Sequence, residues 1–238
     1  MLESLNNLIS DQQAAPPRPN ARDQVYNMLR DGIIGMRLAP GIMLTEKSVA
    51  EEMQVSRTPV REAFIRLAQE ELLCVRPQRG TFVSPIVVDR INEARLMRGA
   101  VESRIMPQLV ANLTPARQTA IELNIREQEF HLAQFGLSQS AMAMFRLDNE
   151  FHRLLFGCVG MERVWDAIQQ FSSHLNRVRI LYLLAKEEWE SLVVQHRDIF
   201  SALAEADADS AQDKLDRHLN RTDRDLTNLR DKFPDYFA

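Results

Sequence analysis

Four residues stand out because their types and spacing suit one chemistry. Asp148 and His152 lie four apart in a stretch whose other inward positions are Ala141, Met144, Phe145, Phe151 and Leu155. On a helix, residues four apart share a face, so both polar side chains point where the apolar ones go. His196 falls within the stripe Leu192, His196, Ile199, Leu203, and His218 within Ala211, Leu215, His218, Thr222, Leu226. A lone inward histidine is commonly a hydrogen-bonded core residue. Three of them with an aspartate are costly to bury unpaired. One divalent cation satisfies all four, and imidazole with a single carboxylate suits Zn or Ni, with Mn or Fe(II) also compatible. Ligands borne on facing helices are a known solution in bundle cores. Arg98 interrupts a further stripe, Ala94, Arg98, Val101, Ile105. It either pairs with Glu102 one turn on, snorkels outward, or offers a cation to an anionic ligand, and Arg179 is a second candidate of that kind. His131, beside Glu127 and Gln134, reads as solvated, and His174, between Phe171 and Val178, fits either environment.

A second set of residues suits nucleic acid. Arg57 and Arg61 are also four apart, near the start of a short helix that Ser56 would cap and Pro59 would open. Such a pair is also what any solvated helix face presents. On a recognition helix, though, N-terminal arginines reach guanine O6 and N7, while Ser56, Thr58 and the helix N-terminus suit phosphate oxygens. Lys47, Arg79 and Gly80 are further candidates for contact with phosphate or groove.

The elements that would position these residues can be read in order. Val25, Leu29, Ile33 and Met36 mark a helix over 21–37, which the turn Leu38-Ala39-Pro40-Gly41 ends. Thr45 caps a helix to about Met53, with Leu44 placed to staple against Val49. The third helix runs from Ser56 to about Leu72, and a hairpin follows from Val75 through Arg76-Pro77-Gln78-Arg79-Gly80 to Val83. That order is a winged helix-turn-helix over 21–85. From 86 to 238 helices are predicted near 88–111, 115–135, 138–157, 161–184, 188–206 and 209–231, an all-helical bundle. Residues 1–20, ending in Pro16-Pro17-Arg18-Pro19, read as a flexible tail in which Leu2, Leu5, Leu8 and Ile9 form at most a short helix. The fold class is mainly α.

Bulk properties limit the alternatives. The chain has 238 residues, enough for two modest domains, and a net charge of −4. Residues 21–85 carry nine Arg and Lys against eight Asp and Glu, so a nucleic-acid reading rests on where a few arginines point rather than on a basic surface. Cys74 and Cys158 lie far apart in apolar surroundings, which argues against a disulfide framework. No secretion signal or membrane span is expected, and a cytoplasmic location follows.

The N-terminal segment resembles the DNA-binding domain of the GntR family of bacterial regulators. The resemblance rests on Leu44-Thr45-Glu46-Lys47-Ser48-Val49-Ala50, Val55-Ser56-Arg57-Thr58-Pro59-Val60-Arg61-Glu62-Ala63, Arg66-Leu67 and Arg79-Gly80-Thr81-Phe82-Val83. It implies that Arg57 and Arg61 read guanines in a short palindrome. The remainder, about 88–232, resembles the FCD ligand-sensing domain of the FadR subfamily, through Arg98-x-x-x-Glu102, Asp148-Asn149-Glu150-Phe151-His152-Arg153, Gln195-His196-Arg197-Asp198-Ile199 and Arg217-His218-Leu219. In metal-containing members the positions of Asp148, His152, His196 and His218 bind a divalent metal beside the effector pocket. One departure is Gln195, where a Glu is common. The expectation is a homodimeric, operator-binding repressor or activator sensing a small organic acid at a metal site. The alternatives are a metalloenzyme, disfavoured by the lack of a convincing general acid or base, and a metal-free acyl-CoA sensor.

Overall fold

The computed structural model describes residues 20–186, 189–220 and 226–238, and all their side chains except those of 135–140, 185 and 186. The expected tail over 1–20 thus lies almost wholly outside the described residues, as does Thr222.

Helix α1 (Ala21–Ile34) starts at Asn20, whose side chain accepts from the Asp23 amide. It stops three residues short of the predicted end, because the chain leaves the helix at Gly35 and Met36 takes a left-handed φ of 61°. Strand β1 (Met43–Leu44) follows and was not expected. Two residues show no alternation to read, and its partner supplies the pairing. Helix α2 (Glu46–Glu52) is capped as predicted, with Thr45 Oγ1 accepting from the Ser48 amide at 3.0 Å. Thr45→Ala should therefore cost about 1 kcal/mol, lowering the midpoint of a thermal melt by roughly 2–4 °C. An unchanged melt would mean that the cap contributes nothing.

Helix α3 (Arg57–Gln69) begins after Ser56, which has extended backbone but whose side chain makes no capping bond, contrary to expectation. Val60, Ala63, Phe64 and Leu67 turn inward, leaving Arg57, Thr58 and Arg61 exposed. Strands β2 (Leu73–Arg76) and β3 (Gly80–Val83) pair antiparallel from Leu73↔Val83 to Arg76↔Gly80, and β1 adds to the other edge of β3. The hairpin begins earlier than predicted, at Leu73. Gly80 closes its tip at φ +115°, a conformation that only glycine adopts without strain.

The bundle comprises α4 (Val88–Asn112), α5 (Pro115–Gly157), α6 (Glu162–Phe171), α7 (Ser173–Lys186), α8 (Trp189–Ala204), α9 (Ala208–Leu219) and α10 (Leu226–Lys232). Three predicted boundaries are corrected. The helices expected over 115–135 and 138–157 are one helix of 43 residues, about 65 Å long. An internal glycine costs only about 1 kcal/mol, and with no proline there nothing terminates the turn. The helix expected over 161–184 is two, broken at Ser172, whose hydroxyl donates to the Ile168 carbonyl at 2.6 Å. The last predicted helix appears as α9 and α10 on either side of residues 221–225. Helix α8 packs against both α5 and α9, and α9 against α4, bringing the histidine-bearing faces together.

Two apolar cores result. One lies within the bundle. The other fills the winged helix-turn-helix and takes in Phe145 from α5 and Ile180 from α7, so the two units share buried surface. Arg146 reaches Asp31 across the same boundary.

Candidate functional site

Asp148, His152, His196 and His218 converge from α5, α8 and α9, all buried. One potential ligand atom from each lies within 4.8 Å of all the others. The sequence stripes thus meet at one point.

The hydrogen bonds around the cluster fix which imidazole nitrogens face inward. His152 Nδ1 lies 2.7 Å from Glu102 Oε2, His196 Nδ1 2.8 Å from Gln128 Oε1, and His218 Nδ1 3.0 Å from Gln195 Oε1. Each partner atom is an acceptor, so each Nδ1 carries the proton and donates. For His196 the amide orientation is itself determined. Asn124 Nδ2 donates to the Leu147 carbonyl, and Gln128 Nε2 to Asn124 Oδ1, which leaves Gln128 Oε1 for the histidine. Three Nε2 lone pairs therefore face the centre. His152 Nε2 and His218 Nε2 stand only 3.2 Å apart. Two lone pairs at that separation repel unless a proton or cation lies between them. Burial pushes both imidazoles below their ordinary pKa, assisted by Arg98 for His152 and by His196 for His218. Neutral imidazole is the form that ligates metal. The donor set thus fits a divalent cation, and imidazoles anchored through the far nitrogen are a recurrent feature of metal sites. A bound cation would supply a Lewis-acidic anchor for an anionic oxygen.

Glu102 holds the site together. Burial alone would raise its carboxyl pKa, but Arg98, then His152, bring it down to about 2. Arg98 Nε donates to Glu102 Oε1 at 2.5 Å, so the expected pairing one turn on does occur. The same guanidinium sits 5.5 Å over the Trp165 ring, and its Nη2 is buried without a hydrogen bond among the described residues. The pairing reading of Arg98 is thus the one the structure shows, with one edge of the guanidinium held by Glu102.

Beside the cluster lies a cavity with about 90 Å³ open to water-sized molecules, lined among others by Arg98, Asp148, Arg179, Tyr182, Leu192 and His218. Arg179 is buried, ion-paired with Asp148, and donates to Asn149 Oδ1 at 3.1 Å and Asn176 Oδ1 at 2.9 Å. The sequence reading missed Asn124 and Gln128, although they interrupt the buried stripe of Ile121 and Ile125 as plainly as Asp148 interrupts its own. Gln195, noted only as a departure, is the partner of His218. His174 is buried in a polar setting, and His131 is half-buried against Phe130, less solvated than expected.

At the other end of the molecule, Arg57, Thr58 and Arg61 line the exposed face of α3. Among the described residues no hydrogen bond or ion pair holds either arginine. Ser56 is exposed with its hydroxyl free of capping, Lys47 lies 3.9 Å from Glu51 at the surface, and Arg79 and Gly80 form the exposed wing tip. No helix among the described residues is long and apolar enough to cross a membrane.

Comparison with known proteins agrees with both halves. Residues 21–83 match the profile of the bacterial regulatory proteins of the gntR family, and residues 93–221 match the FCD domain. The chain is 32% identical over 226 residues to the HTH-type transcriptional repressor RspR of Escherichia coli K12, covering 95% of this chain and 97% of that protein. It is 37% identical over 224 residues to an HTH-type transcriptional regulator in an unstable DNA locus of Streptomyces ambofaciens, covering 93% and 91%. Its fold superposes on that of E. coli McbR/YncC with a TM-score of 0.72 at 21% identity, over 91% of this chain and all of the other. These families and relatives are transcriptional regulators, not enzymes. The chain belongs to the gntR family of bacterial regulatory proteins, with an FCD domain as its second half, and is a DNA-binding transcriptional regulator.

Proposed function

We propose that this regulator binds a short palindromic operator as a homodimer and that its affinity for DNA is set by a small organic acid. The acid would sit on a divalent metal, Zn or Ni foremost and Mn or Fe as alternatives, held by Asp148, His152, His196 and His218. Arg98 and Arg179 would contact its carboxylate. Arg57 and Arg61 read guanines, while Lys47, Ser56, Thr58, Arg79 and Gly80 hold the phosphates. Repression is the favoured sign, as in the relative RspR.

The observation that carries this reading is the convergence of three Nε2 lone pairs and a carboxylate beside a cavity that Arg98 and Arg179 help to line. Lone pairs call for a cation, and a cation beside guanidinium calls for an anion. The cavity is small against the roughly 300–1,000 Å³ typical of drug-sized ligands, which favours an acid of few atoms over an acyl-CoA.

The test is a thermal-shift screen of small mono- and dicarboxylates, run on metal-loaded and chelator-treated protein. At least one acid should raise the melting midpoint of the loaded protein by several degrees and that of the stripped protein far less. It should also change operator affinity. Equal shifts in both samples would remove the metal from the sensing reaction. No shift with any acid would remove the acid.

A further inference from the structure

The segment joining the winged helix-turn-helix to the bundle leaves no backbone polar group unsatisfied. The Ser84 N–H donates to the Leu72 carbonyl, the Ile86 N–H to the Tyr236 carbonyl at 2.7 Å, and the Val87 N–H to His174 Nδ1 at 3.0 Å. Pro85 has no N–H. The carbonyls of Ser84 and Pro85 accept from the Arg177 guanidinium at 2.6 and 3.1 Å, that of Ile86 from the Ala238 N–H at 3.0 Å, and that of Val87 from the Ile91 N–H at 3.3 Å. Ile86 is also fully buried in the bundle core. Such complete pairing belongs to the interior of a structural element, whereas flexible linkers leave their backbone to water.

Helix α7 supplies the largest share of this clasp, through His174 and Arg177. Burial, then the charge of Arg177, holds the His174 pKa down to about 3, which keeps its Nδ1 lone pair available as an acceptor. Two residues beyond Arg177 is Arg179, which faces the ligand cavity and Asp148. One further is Ile180, buried in the core of the winged helix-turn-helix beside Phe145. Successive helical residues turn by about 100°, so these three side chains leave α7 in different directions. One helix thus touches the cavity, the joint and the DNA-binding unit.

We propose that α7 is the coupling element of this regulator: with the strap 236–238 it clamps residues 84–87 into a rigid joint, so that whatever engages Arg179 alters how the DNA-binding unit is held. A ligand shifts that joint only by binding its two arrangements unequally.

Hydrogen–deuterium exchange on the full chain, without added metal or metabolite, tests this. In the unmodified protein the amides of Ile86 and Val87 should exchange at least a hundredfold slower than in an unstructured peptide, a rough bound for backbone in a cooperative unit. Ala238→Pro removes the donor to the Ile86 carbonyl without altering a side chain at the joint. It should speed exchange at Ile86 by roughly tenfold, the scale of one lost hydrogen bond, and leave α5 and α8 unchanged. Arg179→Gln should speed exchange over 84–87 while leaving the β2–β3 pairing protected. Random-coil rates in the unmodified chain would overturn the rigid joint. An unaltered Ile86 in Ala238→Pro would overturn the strap, and unaltered 84–87 in Arg179→Gln would overturn the link to the cavity. No arm uses an acid or a metal, so these results stand or fall apart from the sensing reading.

Discussion

Arg57→Ala is expected to lower affinity for a specific operator by roughly two to three orders of magnitude while leaving non-specific DNA binding nearly intact. A bidentate arginine–guanine contact discriminates by about 1–3 kcal/mol, and in a dimer on a palindrome each substitution is made twice. The side chain is exposed on α3, and among the described residues nothing in the protein holds it, so its removal should not disturb the fold. Arg61→Ala should act alike, at a different base pair. Lys47→Ala or Arg79→Ala should instead weaken specific and scrambled sites together and reduce the salt dependence, since phosphate contacts carry no sequence information. The separation matters because residues 21–85 are almost electrically neutral, so specificity cannot be a by-product of general basic attraction. Binding measured on operator and scrambled duplexes at two salt concentrations separates the cases. If Arg57→Ala keeps the operator-to-scrambled ratio, α3 is not the reading head.

The residues of the two candidate sites were legible in the sequence for different reasons. Thr45, Pro59, Arg57 and Arg61 act locally: Thr45 caps α2, while a first-turn proline and an i,i+4 pair define the exposed face of α3 without reference to the rest of the chain. Asp148, His152, His196 and His218 were legible because each breaks an apolar stripe, and a polar break in a buried face needs a partner. That the three helices meet at one point followed from chemistry rather than from packing rules. What stayed hidden depends on distance along the chain. Gln128 becomes a partner of His196 only when α5 lies beside α8, a separation of 68 residues. The two-residue β1 exists only because β3 pairs with it. The break at Ser172 and the continuity through 136–137 are decided by neighbours, since local propensity differs by about 1 kcal/mol at either point. Arg177 illustrates the limit well. In sequence it is one more arginine on a helix, yet it is fully buried against the carbonyls of Ser84 and Pro85.

His196→Ala is expected to abolish stoichiometric metal binding and to remove the metal dependence of thermal stability. A cation held only by the folded chain stabilises it by about 4 kcal/mol when present at a thousand times its dissociation constant. For a chain of this size that is roughly 8–16 °C in melting midpoint. Chelation of the unmodified protein should lower its midpoint by that amount, and the same chelator should leave His196→Ala unmoved. The difference is the informative quantity, because His196 also stacks on Phe151 at 4.0 Å and its loss costs packing whether or not metal is present. Gln128→Leu refines the test. It keeps all four ligands but removes the acceptor that orients His196, so metal should still bind, roughly 10- to 100-fold more weakly, the usual cost of losing such an outer partner. A structural defect alone would lower the midpoint of Gln128→Leu equally with and without metal. If the unmodified protein takes up no Zn, Ni, Mn or Fe on loading, and melts identically with chelator, the four side chains are satisfied by one another. The 3.2 Å approach of His152 Nε2 to His218 Nε2 would then need a shared proton. Burial lowers the proton affinity of both rings, which weighs against that protonated arrangement.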